Sequence, residues 1–197
     1  RSSAKIKILS DSAFRALVEM ILWSREQLTD GRIPEAFAVQ GLDVVADVGV
    51  AGASHRRIAA AADVPLGSMT YHFAGMDELL REAFTRFADG VADGFERRMA
   101  AAVDVESARE AVVAAITEDI FGDRRDLVLT HELYTLAARE AAFRDITAGW
   151  MARSRAALER HFDPETARLL DALVEGLSIH RALDVERRDP AEVRRAV

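Results

Sequence analysis

The sequence contains no cysteine. A disulfide framework, a thiolate metal site and a cysteine nucleophile are therefore excluded. Lysine is nearly missing too: Lys5 and Lys7 are the only two, so arginine carries almost all the positive charge. Proline occurs four times, at 34, 65, 164 and 190, each where a helix could begin. Aromatic residues make up 7 % of the chain. No apolar run reaches the roughly 18 residues of a membrane-spanning helix, so no membrane partner is expected. Residues 1–10 lack an apolar segment and a cleavage-type end, which leaves secretion unsupported and a reduced, cytoplasmic setting as the expectation.

What is present is a chain of 197 residues, half of them hydrophobic and 30 % charged. That is enough for one domain, or two small ones sharing a core, with about 70 % of the unfolded surface buried. The net charge of -7 argues against a surface that coats nucleic acid throughout. A small local DNA-reading face remains compatible with it.

Helix signals dominate, and no stretch shows the strict alternation of a half-buried strand. The expected class is all-α. Residues 1–33 form an extension of distinct composition with an accessory helix, in which Phe14, Leu17, Val18, Ile21, Leu22 and Leu28 recur at helical spacing after Asp11. From Pro34 the helices follow quickly: 35–48 closed by Gly49, 54–62 with Ser54 as N-cap, 65–73, 76–102, 105–121, 124–140, 141–162, 164–184, and a final turn or two from Pro190.

Residues 54–73 read SHRRIAAAADVPLGSMTYHF. Two short helices joined at Asp63-Val64-Pro65 have the layout of a helix-turn-helix. On a helical wheel Met69 and Phe73, with Val64, Ile58 and Ala62, form the side expected to be buried. The opposite side of the second helix is small and hydroxylic. Gly67 allows backbone N–H groups to approach a phosphate closely, while Ser68, Thr70 and Tyr71 can donate to phosphates or base edges. Leu66 and His72 complete that face, and Ser54, His55, Arg56 and Arg57 are expected to hold the adjacent phosphates.

Residues 42–80 resemble the DNA-binding domain of the TetR-like bacterial regulators. The matching features are a helix ending at Gly49, Arg57-Ile58-Ala59 in the second helix, Gly67-Ser68 followed by His72-Phe73 in the third, and the Asp77 to Leu80 opening of the fourth. The resemblance implies a helix-turn-helix domain over 34–80 and an effector-binding and dimerisation domain over 81–197. It further implies a homodimer on a double-stranded DNA operator, most simply a repressor released by a small-molecule effector. Between Pro34 and Leu80, however, two arginines face six carboxylates: Glu35, Asp43, Asp47, Asp63, Asp77 and Glu78. That is a poor footprint for DNA unless Arg1, Lys5 and Lys7 assist. The alternative is therefore a helical ligand-binding or interaction dimer whose helix-turn-helix has lost its DNA affinity.

The helix from Pro164 is apolar over more than half its circumference, with Arg168, Asp171, Glu175 and Ser178 on one narrow stripe. A helix of this kind needs cover on two sides, so a second subunit is expected against Ala172, Gly176, Ile179 and Leu183. Its partner in the seam is expected to be the face carrying Phe143, Ile146, Trp150, Ser154 and Ala157. The resemblance implies the same four-helix dimer. It also implies a ligand between the effector helices, where Phe121, His131, Tyr134 and Trp150 are the candidate contacts. His180 reads as a hydrogen-bonded core histidine.

The chain shows no nucleophile elbow, no phosphate-binding glycine loop, no dinucleotide fingerprint and no His-Glu-x-x-His. Its five histidines are scattered over separate helices. Enzymatic activity, a metal and a cofactor are not expected.

Overall fold

Helix starts in this protein are written into its aspartates. Asp104, Asp123, Asp163 and Asp189 each precede a helix, and each carboxylate accepts a backbone N–H of the first turn. Ser54 does the same through its hydroxyl. These side chains satisfy donors that a helix start otherwise leaves orphaned. The computed structural model describes residues 32–119, 123–186 and 189–197, and all its regular elements are helical. They are α1 (Arg32–Gly52), α2 (His55–Ala61), α3 (Leu66–His72), α4 (Met76–Ala101), α5 (Val105–Ala114), α6 (Arg124–Arg139), α7 (Ala141–Leu158), α8 (Pro164–Leu183) and α9 (Pro190–Ala196). The accessory helix expected before residue 31, with Arg1, Lys5 and Lys7, lies outside the described residues.

The first helix, expected to close at Gly49, breaks there and resumes to Gly52, and two helix ends of the body also differ from expectation. The helix expected over 105–121 widens after Ala114 into a π-helical turn, Ala115–Asp119, where the Thr117 hydroxyl donates to the Val113 carbonyl at 2.9 Å. The helix expected over 141–162 stops at Leu158, and the N–H groups of His161 and Phe162 both turn back onto the Leu158 carbonyl. His161 then bonds the Met99 carbonyl through Nε2 at 2.9 Å, tying this turn to the end of α4.

Three apolar clusters organise the packing. The first holds the helix-turn-helix together: Phe37 of α1, Ile58 and Ala59 of α2, Met69 of α3, Phe73 and Leu79. The second joins α1 to the body, with Leu42 and Val45 against Leu80, Phe84, Leu129, Leu133 and Phe143. The third lies at the far end, around Met99, Val112, Ile116, Leu158, Leu170 and Val174. The division expected after residue 80 falls within α4, which runs unbroken through all three clusters. α4 contributes Leu79 to the first cluster, Phe84 to the second and Met99 to the third, so one helix ties head and body together. Among the described residues no helix is long and apolar enough to cross a membrane.

Candidate nucleic-acid interface and internal cavity

The turn between α2 and α3 is closed by its backbone. The Val64 N–H reaches the Ala59 carbonyl at 3.0 Å and the Asp63 N–H reaches that of Ala60 at 3.3 Å. This pair of bonds needs a left-handed residue between them, and Asp63 supplies it at φ 53. Aspartate tolerates that region better than most residues, although glycine is the usual occupant. The turn sets Ile58, Met69 and Phe73 inward, as the wheel predicts. It leaves the other face of α3 in solvent, with Tyr71 83 % exposed, Gly67 open and Leu66 46 % exposed. Tyr71 packs edge-on against the His72 ring, centroids 5.0 Å apart. The side chains of Ser68 and Thr70 lie outside the described residues.

Beside this face, Arg56 and Arg57 are exposed and His55 is half-buried. Arg57 is oriented, since its Nη1 donates to the Gly52 carbonyl at 2.7 Å. Ser54 Oγ accepts the Arg57 N–H at 3.3 Å, which leaves its own proton free to donate. The surplus of acid in the head is smaller than the tally of residues suggests. Asp43 is paired with Arg125 of α6, whose Nε donates to it at 2.9 Å.

Between α4, α6, α7 and α8 lies a cavity of about 960 Å³, reaching Val39 and Leu42 of α1. Its ring surfaces are Phe87, Phe95, Tyr134 and Trp150. Tyr134 and Trp150 are stacked, with centroids 6.2 Å apart and planes 21° from parallel, and Phe87 meets Trp150 edge-on. Gly90 and Gly94 of α4 also line it, and a Cβ at Gly90 would meet nothing within 4 Å. Two carboxylates of α8, Asp171 and Glu175, enter from the opposite wall. Arg155 Nη1 donates to Asp171 at 3.3 Å, and the Tyr134 phenol lies beside Glu175. Burial, and then the Glu175 charge, hold the Tyr134 phenol well above its ordinary range. Burial likewise raises Asp171, and it raises Asp126 with help from Asp123.

The head and body each match a family profile. Residues 39–83 match "Bacterial regulatory proteins, tetR family", and residues 104–197 match "Tetracyclin repressor-like, C-terminal domain". A solved Streptomyces coelicolor A3(2) protein, termed a transcriptional regulator, is 53 % identical over 85 % of this chain and 96 % of that one, with a TM-score of 0.79. The chain belongs to the TetR family. A TetR-family member from Streptomyces coelicolor A3 is similar at 36 % identity, over 82 % of this chain and 94 % of that one, with a TM-score of 0.69. The multidrug binding protein EbrR, solved with ethidium, is 35 % identical over 83 % of this chain and 95 % of that one, also with a TM-score of 0.69. No curated protein matches the chain in sequence.

In this TetR-family regulator the residues expected at the ligand separate. Tyr134 and Trp150 line the cavity, whereas His131 lies outside it and its Nδ1–H donates to the Leu127 carbonyl at 2.7 Å. Phe121 lies outside the described residues. The face of α7 expected in a subunit seam is turned inward. Phe143 is 1 % exposed and packs edge-on against Phe84, Ile146 leans on the same cluster, Trp150 and Ser154 line the cavity, and Ala157 is buried. The bulky side chains of α7 are drawn to the chain's own interior. Outside, beyond the exposed Arg144 and Asp145, run the small residues Ala148, Gly149, Ala152 and Ala156.

On α8 Ala172, Gly176 and Leu183 of the expected outer residues lie outward, as does Leu169. Leu169 and Leu183 are 67 % and 60 % exposed, Ala172 is exposed, and a Cβ at Gly176 would meet nothing within 4 Å. Ile179 is half-buried. His180 is exposed rather than a core histidine. The narrow polar stripe of the same helix faces inward through Asp171, Glu175 and Ser178, the last 1 % exposed.

Proposed function

We propose that this TetR-family regulator is a homodimeric repressor that a small organic molecule releases from its DNA operator. Tyr71, Gly67 and the rest of the outer face of α3 read the major groove, while Ser54, His55, Arg56 and Arg57 hold the flanking phosphates. Two chains join through the outer faces of α7 and α8 into a four-helix seam, with Ala152 and Gly176 permitting close approach. The effector occupies the cavity and favours a head spacing that no longer fits the operator.

The observation that carries this reading is the course of α4. One helix places Leu79 in the core of the reading head and lays Phe87, Gly90 and Phe95 along the cavity eight to sixteen residues later. A molecule that displaces the cavity segment therefore works on the head through a single rod. The EbrR structure supports the cavity as a ligand site, since that relative is a multidrug binding protein solved with ethidium.

Fluorescence anisotropy with duplexes from the gene's own upstream region, at two salt concentrations, tests the DNA half. Two arginines per subunit at phosphates give an expected log–log salt slope of about -3 to -4. Weak, sequence-blind binding would instead support an interaction dimer without an operator, the reading favoured by the acidic head. Release from the operator by aromatic dyes then tests the effector half.

A further inference from the structure

Given the cavity as the effector site, we infer that it is built for an organic cation, with Glu175 meeting the positive charge and the Tyr134–Trp150 stack carrying the flat body of the molecule. The argument begins with charge. Asp171 and Glu175 stand one helical turn apart on the same wall. Asp171 is already answered by Arg155. No ion pair joins Glu175 to a cation among the described residues, and the uncharged Tyr134 phenol lies beside it. A carboxylate drawn into an apolar wall without an opposite charge is unfavourable, and a ligand cation removes that penalty. Glu175 is half-buried, and its neighbours Asp171 and Tyr134 on this wall are pushed upward by burial.

The rings point the same way. A cation over the face of Trp or Tyr is attracted by the ring quadrupole, most strongly where water is excluded. Tyr134 and Trp150 stand nearly parallel beside the carboxylate.

The arginines of the wall offer an anion little. Arg86 is paired with Glu82, Arg125 with Asp43 and Asp126, and the half-buried Arg98 is also engaged, while Arg97 stands in solvent where it is well hydrated.

The test uses the full chain without DNA and three fluorescent probes of similar size. Ethidium is the cation, N-phenyl-1-naphthylamine the neutral probe and 8-anilinonaphthalene-1-sulfonate the anion. Ethidium is expected to bind tightest and the sulfonate weakest. Glu175→Gln, whose amide can bond Tyr134, is expected to weaken ethidium about tenfold or more and to leave the neutral probe within about twofold. Glu175→Asp, which keeps the charge, is expected to retain more ethidium affinity than Glu175→Gln. Unchanged ethidium binding by Glu175→Gln, or a preference for the sulfonate, overturns the cation assignment and leaves the cavity standing as an effector site. Failure of all three probes to bind overturns the cavity reading itself.

Discussion

Glu132 of α6 reaches to the break in α1, where its Oε1 lies 2.8 Å from the position a Cβ on Gly49 would occupy. The two residues belong to opposite functional halves, one to the helix that leads into α2 and the other to a helix of the body. Gly49 itself sits at φ 72, ψ 168, a region essentially reserved for glycine. Gly49→Ala is expected to lower the unfolding free energy by about 1–3 kcal/mol, measured by denaturant titration. Adding Glu132→Ala opens the space but leaves the backbone strained. Full recovery in the double variant would show that crowding rather than conformation sets the effect.

Tyr71 is 83 % exposed and contributes almost nothing to the core. Tyr71→Ala is therefore expected to change unfolding stability by no more than about 0.5 kcal/mol. Affinity for the operator is expected to fall at least tenfold, because this side chain dominates the outer face of α3. Intact binding in the anisotropy assay would remove α3 from the reading role.

Gly176 faces outward with open space beyond it, so the isolated fold tolerates a side chain there. Gly176→Leu is expected to stabilise the α8 helix itself by up to about 1 kcal/mol through propensity. In sedimentation equilibrium the same variant is expected to shift toward monomer, because the seam can no longer close. A dimer of unchanged strength would place the subunit contact elsewhere.

Arg153 of α7 clamps three carboxylates of α4. It pairs with Asp89 at 3.1 Å, with Glu96 at 2.7 Å, and also with Asp93. The Arg153 hydrogen bond holds Glu96 below its ordinary value of 4.5. A carboxylate depressed in the folded state adds stability above its unfolded pKa and loses it as pH falls through the folded one. Arg153→Met is expected to flatten the decline in unfolding free energy between about pH 5 and pH 3. The pairs are half exposed, so the loss at pH 7 is expected to stay near or below about 1 kcal/mol. An acid limb as steep as that of the wild type would show that other carboxylates set it.

The helix-turn-helix was legible because its determinants are local. Ser54 as N-cap, the turn at Asp63, and the inward set of Ile58, Met69 and Phe73 each follow from spacing within a few residues. The cavity was legible only in part. Tyr134 and Trp150 could be named as aromatics on helices of the body, but His131, three residues before Tyr134, finds its partner within its own helix. Nothing in the periodicity distinguishes those two outcomes. On α7 the pattern points the bulky face toward a seam, whereas the structure rotates it onto the chain's own interior, which has the stronger claim on bulk.

The amino-acid sequence by itself determined the order of helices, their capping aspartates, the reading turn and the family. All of these depend on near neighbours along the chain or on a motif held at fixed spacing. Only the tertiary structure decided which flank of an all-round apolar helix is covered by its own chain. That choice turned Phe143 and Trp150 inward, left Ala152 and Gly176 outside, and set Asp171 and Glu175 against a wall of aromatic rings. The physical reason is that burial is a property of what packs opposite a residue. A helix with two apolar faces carries no local mark of which one its own fold will use.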